Sequence, residues 1–146
     1  MDTQTNIPSE NKKIKLDFKE SKYATGRRKK SIAKVWVKKG SGIIHVNGKK
    51  MVDYFHKANL QIAIFRPLVI TKREGEYDVR CSVRGGGMTG QAGAIIHGLS
   101  RCIVLYEPDL KVTLKKEKLT TRDSRAVERK KYGRKKARRS FQFSKR

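Results

Sequence analysis

The stretch Tyr77-Asp-Val-Arg-Cys-Ser-Val-Arg-Gly-Gly-Gly-Met-Thr-Gly-Gln-Ala-Gly-Ala-Ile-Ile-His-Gly-Leu-Ser-Arg-Cys-Ile-Val-Leu-Tyr106 decides the fold. Its first eight residues alternate, with Tyr77, Val79, Cys81 and Val83 set against Asp78, Arg80, Ser82 and Arg84. That period belongs to a strand that buries one face and shows a charged one. Further on the period changes: Ala92, Ile95, Ile96, Leu99, Cys102, Ile103 and Tyr106 fall on one stripe of a helix laid against a sheet. Gly90, Ala94 and Gly98, spaced by four, form a second stripe of small residues where another backbone or an RNA strand can come close. Glycine inside a helix costs about 1 kcal/mol relative to alanine, so a close approach explains these residues better than indifference.

The turn itself, Gly85-Gly-Gly-Met-Thr-Gly90, satisfies G-x-G-x-x-G between strand and helix, where a dinucleotide fingerprint sits. The fingerprint also needs an acid at the end of a following strand. After Tyr106 no convincing apolar strand follows, and Gly-Lys-Ser/Thr of the phosphate-binding loop is missing. A nucleotide cofactor is therefore not expected, nor is any other cofactor. What remains is an anion site made of bare backbone N–H groups at a helix N-terminus with Arg84 beside them, which an RNA phosphate suits. A tight turn that needs glycine for positive φ is the structural alternative, and the two are compatible.

Working outward, Ser31 to Val37 alternates as a strand, with Ala33, Val35 and Val37 on one side and Lys34, Trp36 and Lys38 on the other. Trp36 either covers apolar surface or offers a stacking platform, and packing is the commoner role. Gly40-Ser-Gly42 turns, Ile43 to Val46 returns as a second strand ending at Asn47-Gly48, and a hairpin of the two is the simplest result. Met51 to Phe55 and Leu60 to Phe65 read as short helices. Arg66-Pro67 ends the second, because the residue before proline avoids helical angles. Leu68-Val-Ile-Thr71 suits a buried strand, Arg73-Glu-Gly75 a turn, and Glu107-Pro-Asp109 the start of a short helix through Lys118.

The charge is lopsided. The net charge is +24, with a sequence pI near 10.5. The first twenty residues balance four acids (Asp2, Glu10, Asp17, Glu20) with four lysines and read as a flexible extension. From Ser21 to Val52 there is no acid, and Arg27-Arg-Lys-Lys30 is a compact cluster suited to phosphates. From Arg122 to Arg146 twelve Lys/Arg face two acids, Asp123 and Glu128. Such a segment cannot offset the entropy of its own ordering and is expected to stay disordered until a polyanion neutralises it. Tyr132, Phe141 and Phe143 sit among these charges, where they can stack on bases, and Ser144-Lys145-Arg146 reads as a tip that is placed somewhere.

Together these features point to nucleic acid. A membrane surface needs a basic helix with a continuous apolar face, and no apolar run approaches the roughly 20 residues of a span. Cys81 and Cys102 have no CxxC spacing and read as core residues in a reducing compartment, with pairing left open. His45, His56 and His97 are scattered, so no metal is assigned. No nucleophile-base pair or carboxylate pair stands out, and an enzyme is not expected.

Eight motifs occur in a fixed order: Ala24-Thr-Gly-Arg-Arg-Lys-Lys-Ser-Ile-Ala-Lys-Val35, Val46-Asn-Gly-Lys49, Gly85-Gly-Gly-Met-Thr-Gly-Gln-Ala-Gly-Ala-Ile95, His97-Gly-Leu-Ser-Arg101, Thr121-Arg-Asp-Ser-Arg125, Val127-Glu-Arg-Lys-Lys-Tyr-Gly133, Lys136-Ala-Arg-Arg139 and Gln142-Phe-Ser-Lys-Arg146. In this order they resemble bacterial-type small-subunit ribosomal protein nine, over roughly residues 22–146. The resemblance implies a two-layer α/β (α+β) sandwich like the second domain of ribosomal protein five. In that fold a mixed sheet packs with helices and has a left-handed βαβ crossover. The flexible extension over 1–21, read from its composition, lies outside the resemblance and its role stays open; the matched part divides into a globular domain over 22–121 and an extended basic tail over 122–146.

The same resemblance implies a structural constituent of the small ribosomal subunit in the cytoplasm, bound to the 3′ major domain of ribosomal RNA in the head. Head proteins ten, fourteen and seven would be its neighbours. Residues matched to ribosomal RNA are Arg27, Arg28, Lys29, Lys30, Lys49, Arg84, Gly86, Gly87, Thr89, Gln91, Arg101, Arg122, Arg125, Arg129, Lys130, Lys131, Tyr132, Arg134, Lys136, Arg138 and Arg139. Ser144, Lys145 and Arg146 would meet the anticodon stem-loop of P-site transfer RNA. The alternative is a free regulatory binder of structured RNA.

Overall fold

A computed structural model describes residues 19–145. Five strands, β1 (Lys22–Arg28), β2 (Ser31–Lys39), β3 (Ile44–Val46), β4 (Lys49–Lys50) and β5 (Tyr77–Arg84), form one mixed sheet in the order β1-β2-β5-β3-β4. Helices α1 (Met51–Tyr54), α2 (Ala58–Ile70), α3 (Met88–Tyr106) and α4 (Lys111–Lys116) complete a mixed α+β architecture, with a 3-10 turn at Pro108–Leu110. The proposed extension over 1–21 falls almost entirely outside the described residues.

The deciding stretch folds as its two periods predict. Along β5, Tyr77, Val79, Cys81 and Val83 are buried and Arg80 and Arg84 exposed. Along α3, Ala92, Ile95, Leu99, Cys102 and Ile103 are buried in the core with Val35, Val37 and Val46. The small stripe resolves in favour of a backbone neighbour. A Cβ on Gly26 of β1 would stand 1.8 Å from the Ala94 carbonyl oxygen and 2.4 Å from the Gly98 nitrogen, so strand and helix touch main chain to main chain. Cys81 and Cys102 are both buried and free. Burial pushes the Cys102 thiol up to about 12 and Cys81 higher still, so neither is a reactive thiolate.

Three local expectations need correction. Residues 31–37 and 43–46 do not form a hairpin with each other: β5 lies between them, antiparallel to β2 and parallel to β3. Asn47-Gly48 does make a two-residue turn, with φ of 50° and 81°, but it joins β3 to the short β4. The Asn47 side chain also accepts from Val83 N–H at 2.8 Å and donates to its carbonyl at 3.1 Å, which pins the end of β3 onto β5.

Pro67 does not end α2. The helix runs through it to Ile70, because Ile64, Pro67 and Leu68 are its buried face and their burial outweighs one missing N–H. Leu68–Thr71 is consequently the last turn of that helix and its cap, not a strand. The end is a Schellman motif in which Arg73 N–H reaches Leu68 O at 2.9 Å and Lys72 N–H reaches Val69 O at 3.0 Å, with Lys72 at φ 55°.

β1 was not legible as a strand. Its inward positions are Ala24 and Gly26, small because α3 lies directly on them. It is an edge strand, and α3 satisfies the edge: Arg27 N–H donates to His97 Nδ1 at 3.2 Å and Arg101 donates to Thr25 O at 2.7 Å. From Arg122 to Lys145 the chain forms neither helix nor strand.

Candidate nucleic-acid interface

The fold gathers residues that are distant in sequence at one end of the sheet. Arg27-Arg-Lys-Lys30 is the tip of the β1–β2 hairpin, with Lys29 in the left-handed region at φ 52°. Beside it lies the glycine turn after Arg84. Ser31 Oγ donates to Gly85 O at 3.0 Å, and a Cβ on Gly85 would meet the Lys30 carbonyl oxygen at 2.7 Å. Gly85 and Gly86 have φ of 72° and 62°, so the turn needs glycine for its backbone as well as for this contact. Gly87 opens α3 in extended conformation without a side-chain cap, and Gly85 to Thr89 are exposed. The start of a 19-residue helix is therefore exposed beside Arg84, with the Lys30 main chain against Gly85, a setting that favours phosphate.

The root of the C-terminal segment joins the same end. Asp123 bridges Arg28 at 3.5 Å and Arg125 at 2.9 Å. The Arg125 guanidinium and N–H hold its carboxyl well below the usual carboxylate range. His97 sits between the strand and this segment. Partial burial, then the nearby Arg101 charge, lower its pKa, and its Nδ1 must keep a lone pair for Arg27 N–H. Arg28, Lys29, Asp123, Arg125, Ala126 and Val127 line a notch of about 310 Å³ between hairpin tip and tail root.

Beyond the root the basic segment has local order. Glu128 pairs with Arg138 at 2.9 Å and Lys131 at 3.6 Å, Arg134 N–H reaches Lys131 O at 3.3 Å around Gly133 at φ 65°, and Lys135 N–H reaches Arg139 O at 2.8 Å. Tyr132 and Phe143 project fully, at 103% and 86% exposure, as does Val127. Arg122, Arg129, Lys130, Arg134 and Lys136 are exposed with them, and so are Ser144 and Lys145, while Arg146 lies outside the described residues.

Not every expected residue shares the site. Gln91 is committed internally, accepting from Tyr54 Oη at 2.8 Å and donating to Gly85 O at 3.2 Å, so it holds the glycine turn. Arg101 spends one N–H on Thr25 but remains exposed. Lys49 is on β4, separated from β2 by β5 and β3. Sequence reasoning missed Asp123 and His97. An acid in a basic run, and a histidine one helical turn from Arg101, were the available signals.

Among the described residues no helix is long and apolar enough to cross a membrane, and no three His, Cys, Asp or Glu residues meet as metal ligands do. The family model for ribosomal protein S9/S16 matches residues 26–146, a span that contains the hairpin tip, the glycine turn, the Asp123 root and the whole basic segment. The chain belongs to the ribosomal protein S9/S16 family and is thus a structural constituent of the small ribosomal subunit.

Proposed function

We propose that the sheet end formed by Arg27–Lys30, Arg84–Thr89 and Arg122–Arg125 is the main ribosomal RNA contact, in the 3′ major domain of the head. In this reading residues 22–121 form the RNA-binding body and residues 122–146 extend the cationic track to the anticodon stem-loop of P-site transfer RNA. The carrying observation is the Arg28–Asp123 bridge, which starts the tail at the hairpin tip and makes body and tail one continuous cationic surface. Arg129, Lys130, Lys131, Arg134, Lys136, Arg138 and Arg139 supply phosphate contacts, Tyr132 a stacking ring, and Ser144, Lys145 and Arg146 the terminal grip. Head proteins ten, fourteen and seven are the proposed neighbours. The stripe Ile62, Phe65 and Val69 on α2, a helix whose one charged residue is Arg66, is the surface best suited to them. The left-handed β3-to-β5 crossover belongs to the same proposal.

RNA affinity should fall with salt, with a log-log slope of about −4 if six phosphates are engaged. Small subunits assembled without residues 144–146 should form normally, retain the protein through a high-salt wash and release P-site transfer RNA faster. Loss of the intact chain in that wash would favour a free regulatory RNA binder. Identical release with and without the triplet would remove the tail's tip from the decoding site.

A further inference from the structure

The face of the sheet turned away from α3 carries an arrangement that the cationic end does not use. Tyr23, Trp36 and Arg80 are register partners in β1, β2 and β5, so they form one row across three adjacent strands. Their sequence neighbours Ala24, Val35, Val37, Val79 and Cys81 are buried in the core, which leaves the row on the opposite, open face. The rings of Tyr23 and Trp36 have centroids 5.3 Å apart at 39°, and the Arg80 guanidinium carbon lies 5.7 Å from the Trp36 centroid. Trp36 thus packs laterally against both while part of its surface stays open, and Tyr23 is 45% exposed.

The surroundings of the row define its partner. The next rows along the strands are Thr25, Lys34 and Ser82, then Arg27, Ile32 and Arg84, and Lys34, Arg80 and Arg84 are exposed. The acid on this face, Asp78, is occupied: its Oδ1 accepts from the N–H groups of Ser41 and Ile43 at 2.8 and 3.1 Å and from the Ser41 hydroxyl at 3.2 Å. A surface of flat π-faces, one guanidinium plane and surplus lysine and arginine complements nucleobases and their phosphates. Within β1, β2 and β5 Asp78 is the one acid, so a protein partner would meet these strands' cations with no available carboxylate among them.

We propose that Tyr23, Trp36 and Arg80 form a stacking platform for unpaired bases, a second RNA contact that adjoins the hairpin tip and glycine turn through Arg27 and Arg84 but lies on the open face of the sheet. The inference rests on the RNA-binding reading above and adds a site of different chemistry to it. At the sheet end phosphate is gripped, whereas here the base faces are.

Trp36 is the single tryptophan of the chain, so its emission reports directly on this row. The full chain is titrated with a dye-labelled single-stranded dodecanucleotide RNA, following dye anisotropy and Trp36 fluorescence together, and separately with inorganic polyphosphate. RNA should quench Trp36 by about half, through base stacking, while polyphosphate, which has no bases, leaves the emission nearly unchanged. Tyr23→Ser, at an exposed position, should keep the parent's melting curve and weaken RNA binding about tenfold. An anisotropy rise without quenching, or equal quenching by polyphosphate, overturns the platform and leaves the RNA-binding reading standing. No anisotropy rise overturns both. In small subunits carrying Tyr23→p-benzoylphenylalanine, illumination should crosslink the chain to RNA; a crosslink to protein, or none, refutes the assignment.

Discussion

Gly26→Ala tests the glycine with the least room for a side chain among the described residues. The added methyl would lie 1.8 Å from Ala94 O and 2.4 Å from Gly98 N, both main-chain atoms that no rotamer change can remove. Ordinary contact begins near 3.4 Å, so α3 must retreat by about 1.6 Å from β1. That retreat breaks the bond of Arg27 N–H to His97, now 3.2 Å, and strains the Arg101 bond to Thr25, now 2.7 Å. Overpacking costs about 1–3 kcal/mol, the broken bond adds about 1 kcal/mol and the strained one up to as much again, so the variant should lose about 2–5 kcal/mol. This is a large share of the roughly 5–15 kcal/mol that holds a typical domain together. Gly87→Ala is the matched control. Its φ is −116° and nothing lies within 4 Å of the new Cβ, so stability should fall by about 1 kcal/mol or less, through the N-cap preference for glycine over alanine alone. Urea unfolding followed by Trp36 fluorescence, with the m-value checked for constancy, measures both variants. A Gly26→Ala protein within about 1 kcal/mol of the parent, or a Gly87→Ala protein equally damaged, would refute the packing argument.

Two further outcomes follow from the polar networks. Tyr77 Oη donates to Glu107 at 2.8 Å, and burial together with that carboxylate pushes its pKa up to about 12. A raised folded pKa means the stabilisation is complete below the unfolded value of about 10 and is lost as pH climbs from there through about 12. The parent should therefore lose more stability than Tyr77→Phe across that window, and parallel pH profiles would contradict it. Asp123→Asn removes the charge that bridges Arg28 and Arg125, so amide exchange over residues 121–125 should quicken while the global unfolding midpoint holds. Because the Asp123 carboxyl titrates well below its usual range, the parent should keep slow exchange there down to pH values below the ordinary carboxylate pKa. Unchanged exchange in the variant would show that the tail root is fixed by other contacts.

The strand and helix of residues 77–106 were readable because each buries large apolar groups on one face at the proper period. β1 was hidden for the opposite reason: where a helix backbone lies on a strand, the inward residues must be small, and Ala24 and Gly26 leave no hydrophobic alternation to read. The β2–β3 hairpin was inferred from adjacency in sequence, which is the usual outcome but yields when a later strand pairs with both. Pro67 followed the burial of its neighbours and not its local preference, a tertiary effect that no window around it contains. The cations of the interface were legible as charge. Their meeting at one end of the sheet was not, since it depends on Lys30 lying against Gly85 and on Asp123 returning to Arg28. The internal duty of Gln91 was likewise invisible without the position of Tyr54.

The insertion of β5 between β2 and β3 also sets a timetable for synthesis. The β1–β2 hairpin pairs residues at most 15 apart and can close as soon as Lys39 has emerged from the translating ribosome. β3 and β4 can then turn at Asn47-Gly48, but neither ribbon can join the other until residues 77–84 appear and zip between them. Throughout that interval the β2 edge, with Val35 and Val37, stands open to any strand that passes. A nascent chain stalled before Tyr77 should consequently be sticky and chaperone-bound, and one released after Tyr106 should not.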